Sequence, residues 1–239
     1  NYVYVLKNPA ILQAFGVTIS RSLIGAALSV AINLAAAYAV SKRYLAGRKI
    51  ILVFFLLPMF VGGSVITNYL IFAKVGLLNN FLVYVVPGAF SFFSMIIIRT
   101  FIEGLPDGLE EAAMIDGAGY VKSFLLIVVP LCTPILAAMF FFGIVGGWLD
   151  FGTNLLYVTN KSLYVLQYVL YLAIHSQDQD MFAQMMRSSG RVLEYNKKPP
   201  TPEVLKMSTL VVVTLPLLFV YPFFQRFFVK GMMVGAIKA

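Results

Sequence analysis

Four of the ten acidic residues lie in one short stretch, "LPDGLEEAAMIDGAGYVKSFLLIVVP" from Leu105 to Pro130, where Asp107, Glu110, Glu111 and Asp116 surround a pair of alanines and run into Gly117 and Gly119. In a greasy chain, carboxylates serve ion coupling when they are buried at mid-membrane and a charged docking rim when they are wet. A second group, Trp148, Asp150 and Asn154, sets an aromatic ring beside polar groups, the combination that sugar binding uses; the competing reading of Trp148 is an interfacial anchor. Arg21 and Asn33 are polar residues inside an apolar run and could line a pathway, although Arg21 could instead snorkel to the membrane surface. His175 is the only histidine and Cys132 the only cysteine. No catalytic residue and no metal site is assigned, and no disulfide can form within the chain. No G-x-x-x-x-G-K-S/T occurs, so nothing here cradles ATP phosphates.

The elements that must carry these residues are membrane-spanning helices. Apolar residues make up 60% of the 239 and charged ones 12%, far from the mix of a soluble domain. A bilayer core of roughly 30 Å needs about 20 helical residues. Runs of that kind are Val17–Val40, Ile50–Ala73, Phe81–Ile98, Phe124–Leu149 and Met207–Gln225. No Asp or Glu falls inside them, which argues against ion coupling. The fold class is therefore an all-α membrane protein, a single transmembrane domain over 1–239 with five spans. The formal charge of +8 sits in short polar connections, where it fixes orientation rather than binding nucleic acid.

Lys42, Arg43, Arg48 and Lys49 crowd the first connection, against Lys74 alone in the second, so the first is cytoplasmic. Alternation puts the loop 103–122 and the tail 226–239 inside, and the segment 150–206 outside. An external amino terminus with no helix before it, in a chain that opens on Asn1, leads to the expectation of a sixth, preceding helix.

Local signals resolve the acidic stretch. Asp107 is placed as an N-cap with Glu110 as its capping-box acid, and Gly117 and Gly119 stop the helix after two or three turns. A second helix starts near Tyr120. The product is a helix, a glycine turn and a helix at the cytoplasmic surface, either a docking knob or a plain capped loop. Elsewhere, Gly143 and Gly147 have the spacing of a close helix contact, and prolines 58, 87, 130, 134, 216 and 222 interrupt four spans. Leu163 to Ile174 is too short to span; its tyrosines 164, 168 and 171 on one face and leucines on another suit a helix lying at the interface. Thr201 with Pro202 opens the last helix.

"EAAMIDGAGYVKSFLLIVVP" resembles the cytoplasmic signature of permease subunits of ATP-binding-cassette importers: Glu111, Ala112, Ala113, then Gly117, then Ile127 and Pro130, with Val129 in place of the usual leucine. "RTFIEGLPDGLEEAA", "VVPLCTPILA", "GWLDFGTNLLY" and "VKGMMVGAIKA" resemble the sugar-importing, maltose-permease-like branch, in particular its permeases for oligosaccharides and polysaccharide fragments. The resemblance covers nearly the whole chain. It implies a type I permease bundle in a bacterial inner membrane, working with a second permease, two ATPase subunits and an extracytoplasmic sugar-binding protein. ATP and magnesium would bind the ATPases; this chain would bind no cofactor and be no enzyme. Glu110, Glu111 and Asp116 would form the wet rim of the knob that docks on an ATPase, and Ala112, Ala113 and Gly117 its close-packed tip. The alternative class is a secondary transporter or channel. The solute is read as a neutral oligosaccharide, with Arg187, Arg191, Lys197 and Lys198 leaving room for an acidic one such as an alginate fragment.

Overall fold

The computed structural model describes residues 8–60, 63–106, 108–175, 207–216 and 218, which are helical with no strand among them. The first helix, α1, runs Pro9–Ser41. At 1.5 Å per residue its 33 residues measure about 50 Å, and among the described residues it alone is long and apolar enough to cross a bilayer unbroken.

Among the described residues, the second, third and fourth expected spans are each not one continuous helix. The second is two helices, α2 (Arg48–Phe60) and α3 (Val65–Val75). Pro58 lies in the last turn of α2, where it removes a backbone donor and weakens the ladder. The third, Phe81–Ile98, is not one helix. A single 3₁₀ turn, Phe81–Tyr84, is capped by Asn80, and α4 begins only at Phe92, running to Glu103. Pro87 lacks an amide hydrogen and disfavours helical geometry at Val86 before it, and Gly88 follows. Ser91 then caps α4, its Oγ accepting from the Ser94 amide.

The short helix α5 is Gly108–Ile115. The fourth span is again two helices, α6 (Tyr120–Leu131) and α7 (Thr133–Leu149), bent by 75° at Cys132. Pro130 accounts for the bend: its ring crowds the carbonyl of Leu126, and the turn Phe124–Val128 widens to π geometry to accommodate it. Thr133 Oγ1 donates to the Pro130 carbonyl at 2.7 Å. Next come α8 (Gly152–Tyr157), α9 (Leu166–Ile174) and α10 (Met207–Pro216). The remainder of the fifth span, residue 218 apart, with most of the segment 150–206 beyond His175 and the tail 226–239, lies outside the described residues.

The chain packs as two units, one of residues 1–24, 65–86 and 144–223, the other of residues 25–64, 87–143 and 224–239. The core of the first gathers Ile11, Ala14, Trp148, Val165, Leu166, Val169, Leu172 and Val213. Here α9 departs from expectation. It does not lie flat at an interface, because Leu166, Val169 and Leu172, spaced by three, are fully buried, and Tyr164 and Tyr168 are buried with them. Its first turn is anchored by polar groups: Asn154 Oδ1 accepts from the Val165 amide and Thr18 Oγ1 from the Leu166 amide. Burial pushes the pKa of the Tyr164 hydroxyl up. The core of the second unit gathers Leu34, Ala37, Phe92, Met95, Ile98, Ile102, Val128 and Cys132.

Candidate functional site

The acidic stretch folds locally as its residues dictate. α5 is eight residues long and ends at Gly117, whose φ is +80°. The Ala118 amide donates to the Ala113 carbonyl and the Gly117 amide to the Met114 carbonyl, the paired bonds of a Schellman stop, which requires a left-handed residue at that position. α6 then starts at Tyr120, as expected. Asp107, the expected N-cap, lies outside the described residues.

The carboxylates divide. Glu111 and Asp116 are exposed, as is the apolar residue Ile115, 86% open. Glu110 is not part of a wet rim. Tyr38 at the end of α1 donates its hydroxyl to Glu110 Oε1 at 2.6 Å, and Lys42, one turn on, pairs with Glu110 Oε2. Lys42 also sits 4.2 Å from the Tyr38 ring centroid. The Tyr38 hydroxyl is 3.3 Å from the Tyr120 carbonyl and its ring packs on Phe124. Thus one tyrosine braces both arms of the helix-turn-helix. A second tie joins Arg48 to Glu103, which Arg99 also meets at 2.9 Å. These bonds put the basic connection 42–48 and the stretch around α5 on one side. The spacing of Tyr38 and Lys42, four apart, is readable in the sequence; their pairing with Glu110 is not.

Arg21 and Asp150, read separately in the sequence, meet. Arg21 Nη1 lies 3.1 Å from Asp150 Oδ2, and Nη2 bonds the Asp150 carbonyl. The guanidinium stands 4.9 Å from the centre of the Tyr84 ring. Arg21 is 2% exposed on its side chain against 38% for Asp150, so it does not snorkel: its charge is met inside the protein. Asp150 Oδ1 further accepts from the Thr153 amide, opening α8.

Trp148 is neither an interfacial anchor nor a free platform. It is buried, its indole N–H donates to the Val213 carbonyl at 3.1 Å, and Phe15 meets its ring edge-on. Asn154 is likewise buried, bonded to Val158 and Val165.

Asn33 is also buried, but it borders a cavity. Its Oδ1 accepts from the Ser91 amide, and its Nδ2 donates to the carbonyls of Ser29 and Ala89. It therefore satisfies the unwound backbone ahead of α4, part of which would otherwise lack partners. Beside it lies a cavity of about 200 Å³ whose walls include Ser29, Asn33, Ser94, Met139 and Phe142. Ser29 and Asn33 are four apart on α1, one face of a helix; Ser94 is brought to them by the break before α4.

Comparison with known proteins follows the same lines. Residues 24–234 match the family described as "Binding-protein-dependent transport system inner membrane component". Protein LplC of Bacillus subtilis (strain 168) is 34% identical over 99% of this chain and 78% of its own length. The polygalacturonan/rhamnogalacturonan transport system permease protein YtcP of the same strain is 31% identical over 99% of this chain and 80% of its own. A chain in the crystal structure of a bacterial ABC transporter involved in the import of the acidic polysaccharide alginate shares the fold, with a TM-score of 0.80 at 23% identity, covering 95% of this chain and 78% of that one. This chain belongs to the family of binding-protein-dependent transport system inner membrane components, and is a permease component of such a system.

Proposed function

We propose that this chain forms, with a second permease, the pathway of an ATP-driven sugar importer. In this reading a pair of cytoplasmic ATPases supplies the energy and an extracytoplasmic binding protein delivers the solute. The observation that carries it is α5: an eight-residue helix, exposed along Glu111, Ala112 and Ile115 and stopped by a left-handed glycine, presented beside the basic connection. Leu109, Met114 and Ile115 are all exposed on this short helix, an apolar patch beside carboxylates of the kind a partner covers. Glu111, Ala112, Ala113, Asp116 and Gly117 would make that contact. The sugar assignment is supported by the polygalacturonan/rhamnogalacturonan permease relative and by the shared fold of the alginate importer.

The test is reconstitution in proteoliposomes. Permease alone should neither hydrolyse ATP nor accumulate sugar; with ATPases, second permease and binding protein, ATP should drive uptake. Uptake along an ion gradient by this chain without ATPases would instead establish a secondary transporter.

A further inference from the structure

The cavity beside Asn33 lies at a definite depth. Lys42 and Glu103 mark the cytoplasmic edge, held there together by the ties of Lys42 to Glu110 and of Arg48 to Glu103. Asn33 precedes Lys42, the residue just past the end of α1, by nine residues, and Ser94 precedes Glu103 by nine on α4. Nine residues rise about 14 Å, half of a roughly 30 Å core. Both residues therefore sit near the midplane.

At that depth the backbone before α4 is unwound, and such backbone is tolerated in a bilayer only when buried in protein or lining a water-filled cavity. Asn33 holds its Ala89 carbonyl and Ser91 amide. The walls of the open cavity include Asn33 and Ser94, though neither Ala89 nor Ser91 itself. Ser29 and Ser94 both line it, and neither Ser29 Oγ nor Ser94 Oγ donates a hydrogen bond to any described residue; Ser29 Oγ accepts one, from Asn33 Nδ2 at 3.1 Å. Hydroxyls with unused protons facing lipid would be unfavourable; facing a hydrated solute they are assets. Phe142 and Met139 add an apolar wall, and among the described residues no charged side chain lines the space.

We infer that this midplane cavity is a subsite for one uncharged sugar ring, bound by Ser29 and Ser94 against the Phe142 wall, with Asn33 positioning the unwound backbone. This rests on the sugar-import reading and adds the place of contact and its charge preference. A uronate carboxylate directed into this space would find no cation and would be left unpaired.

The experiment labels Ser94→Cys and, separately, Ser29→Cys with a membrane-impermeant thiol reagent in the assembled complex reconstituted in nanodiscs. The native Cys132, which is fully buried, serves as background, and Phe93→Cys, exposed one residue away at 59%, as the control on another face of the same helix. Both serine-site cysteines should react and Phe93→Cys should not. With ATP and binding protein present, maltotriose should slow the reaction at Ser94→Cys several-fold, and trigalacturonate should leave it unchanged. Absence of labelling at both serine positions overturns a hydrated cavity. Protection by trigalacturonate overturns the uncharged preference, and protection by neither sugar overturns the subsite. Uptake by the wild-type complex is read in parallel: failure to accumulate any sugar on ATP would defeat the importer reading, whereas labelling and protection decide the subsite.

Discussion

Tyr38 and Glu110, seventy-two positions apart, are joined by a 2.6 Å hydrogen bond that fastens α5 to the end of α1. With Lys42 on the other oxygen, both oxygens of Glu110 are engaged inside the chain, while Glu111 beside it is exposed. Neighbouring carboxylates thus have different work. Glu110→Gln or Tyr38→Phe removes a bond to a charged group, worth about 1.5–3 kcal/mol, and loosens α5 from α1 without touching the exposed face. The ATPases should still co-purify, but more ATP should be consumed per sugar imported. Glu111→Lys should instead lower co-purification. Equal loss of ATPase from both variants would show that Glu110 contacts the partner directly.

Gly117 separates two causes that a valine replacement would merge. Its φ of +80° costs a non-glycine residue roughly 1–2 kcal/mol, yet a Cβ there would meet nothing of this chain within 4 Å. Gly117→Asn, which tolerates the left-handed angle, should keep the turn. Gly117→Val should insert in the membrane normally and lose ATPase association. If Gly117→Asn also loses the ATPases, a partner packs closely on this position; normal association by Gly117→Val would return the stretch to a plain loop.

The Arg21–Asp150 pair should be more sensitive to losing one member than both. Asp150→Asn strands a buried guanidinium, and breaking such a pair costs roughly 3–5 kcal/mol, here toward the lower end because Asp150 is partly exposed. Arg21→Met together with Asp150→Asn leaves no buried charge and should be closer to wild type in thermal unfolding of the detergent-solubilised protein. Strictly additive losses would mean the two residues do not interact.

Ala46 tests the orientation. It lies between Lys42 and Arg48, both tied to the α5 side of the chain. A cysteine at Ala46 should resist an impermeant reagent in sealed cells and react once the membrane is permeabilised. Reaction in sealed cells would invert the topology.

What could be read in the sequence follows from the range of each signal. The turn at Gly117 and the start at Tyr120 are written in a few adjacent residues, so glycine geometry and capping sufficed. The span Phe81–Ile98 misled because hydropathy counts apolar side chains and is blind to Pro87, which breaks the helix without lowering the average. α9 misled for a related reason: its tyrosines suggested a wet face, but Leu166, Val169 and Leu172 had a whole core to enter, supplied in part by residues far away in the sequence such as Ile11. Arg21 with Asp150, and Glu110 with Tyr38, are pairings across 129 and 72 positions. The residues could be singled out locally, but partners at such separations are set by tertiary packing.

Three glycines on α7 offer a graded test of how closely helices approach. A Cβ built on Gly143 would stand 2.9 Å from Ala26 Cβ and 3.2 Å from Ala26 Cα on α1. One on Gly147 would stand 3.1 Å from Ser22 Cα and 3.1 Å from Ser22 Oγ. One on Gly146 would meet nothing within 4 Å. Ala26 has no flexible end to move aside, so Gly143→Ala must push the helices apart, an overpacking cost of about 1–3 kcal/mol. Gly147→Ala needs a shift of only a few tenths of an ångström and should cost less. Gly146→Ala gains the helix preference of alanine over glycine, roughly 0.5–1 kcal/mol, with no clash to set against it. Thermal unfolding should therefore rank Gly146→Ala at or above wild type, Gly147→Ala below it and Gly143→Ala lowest. A reversed order of Gly143 and Gly146 would mean that α1 and α7 do not meet through these residues.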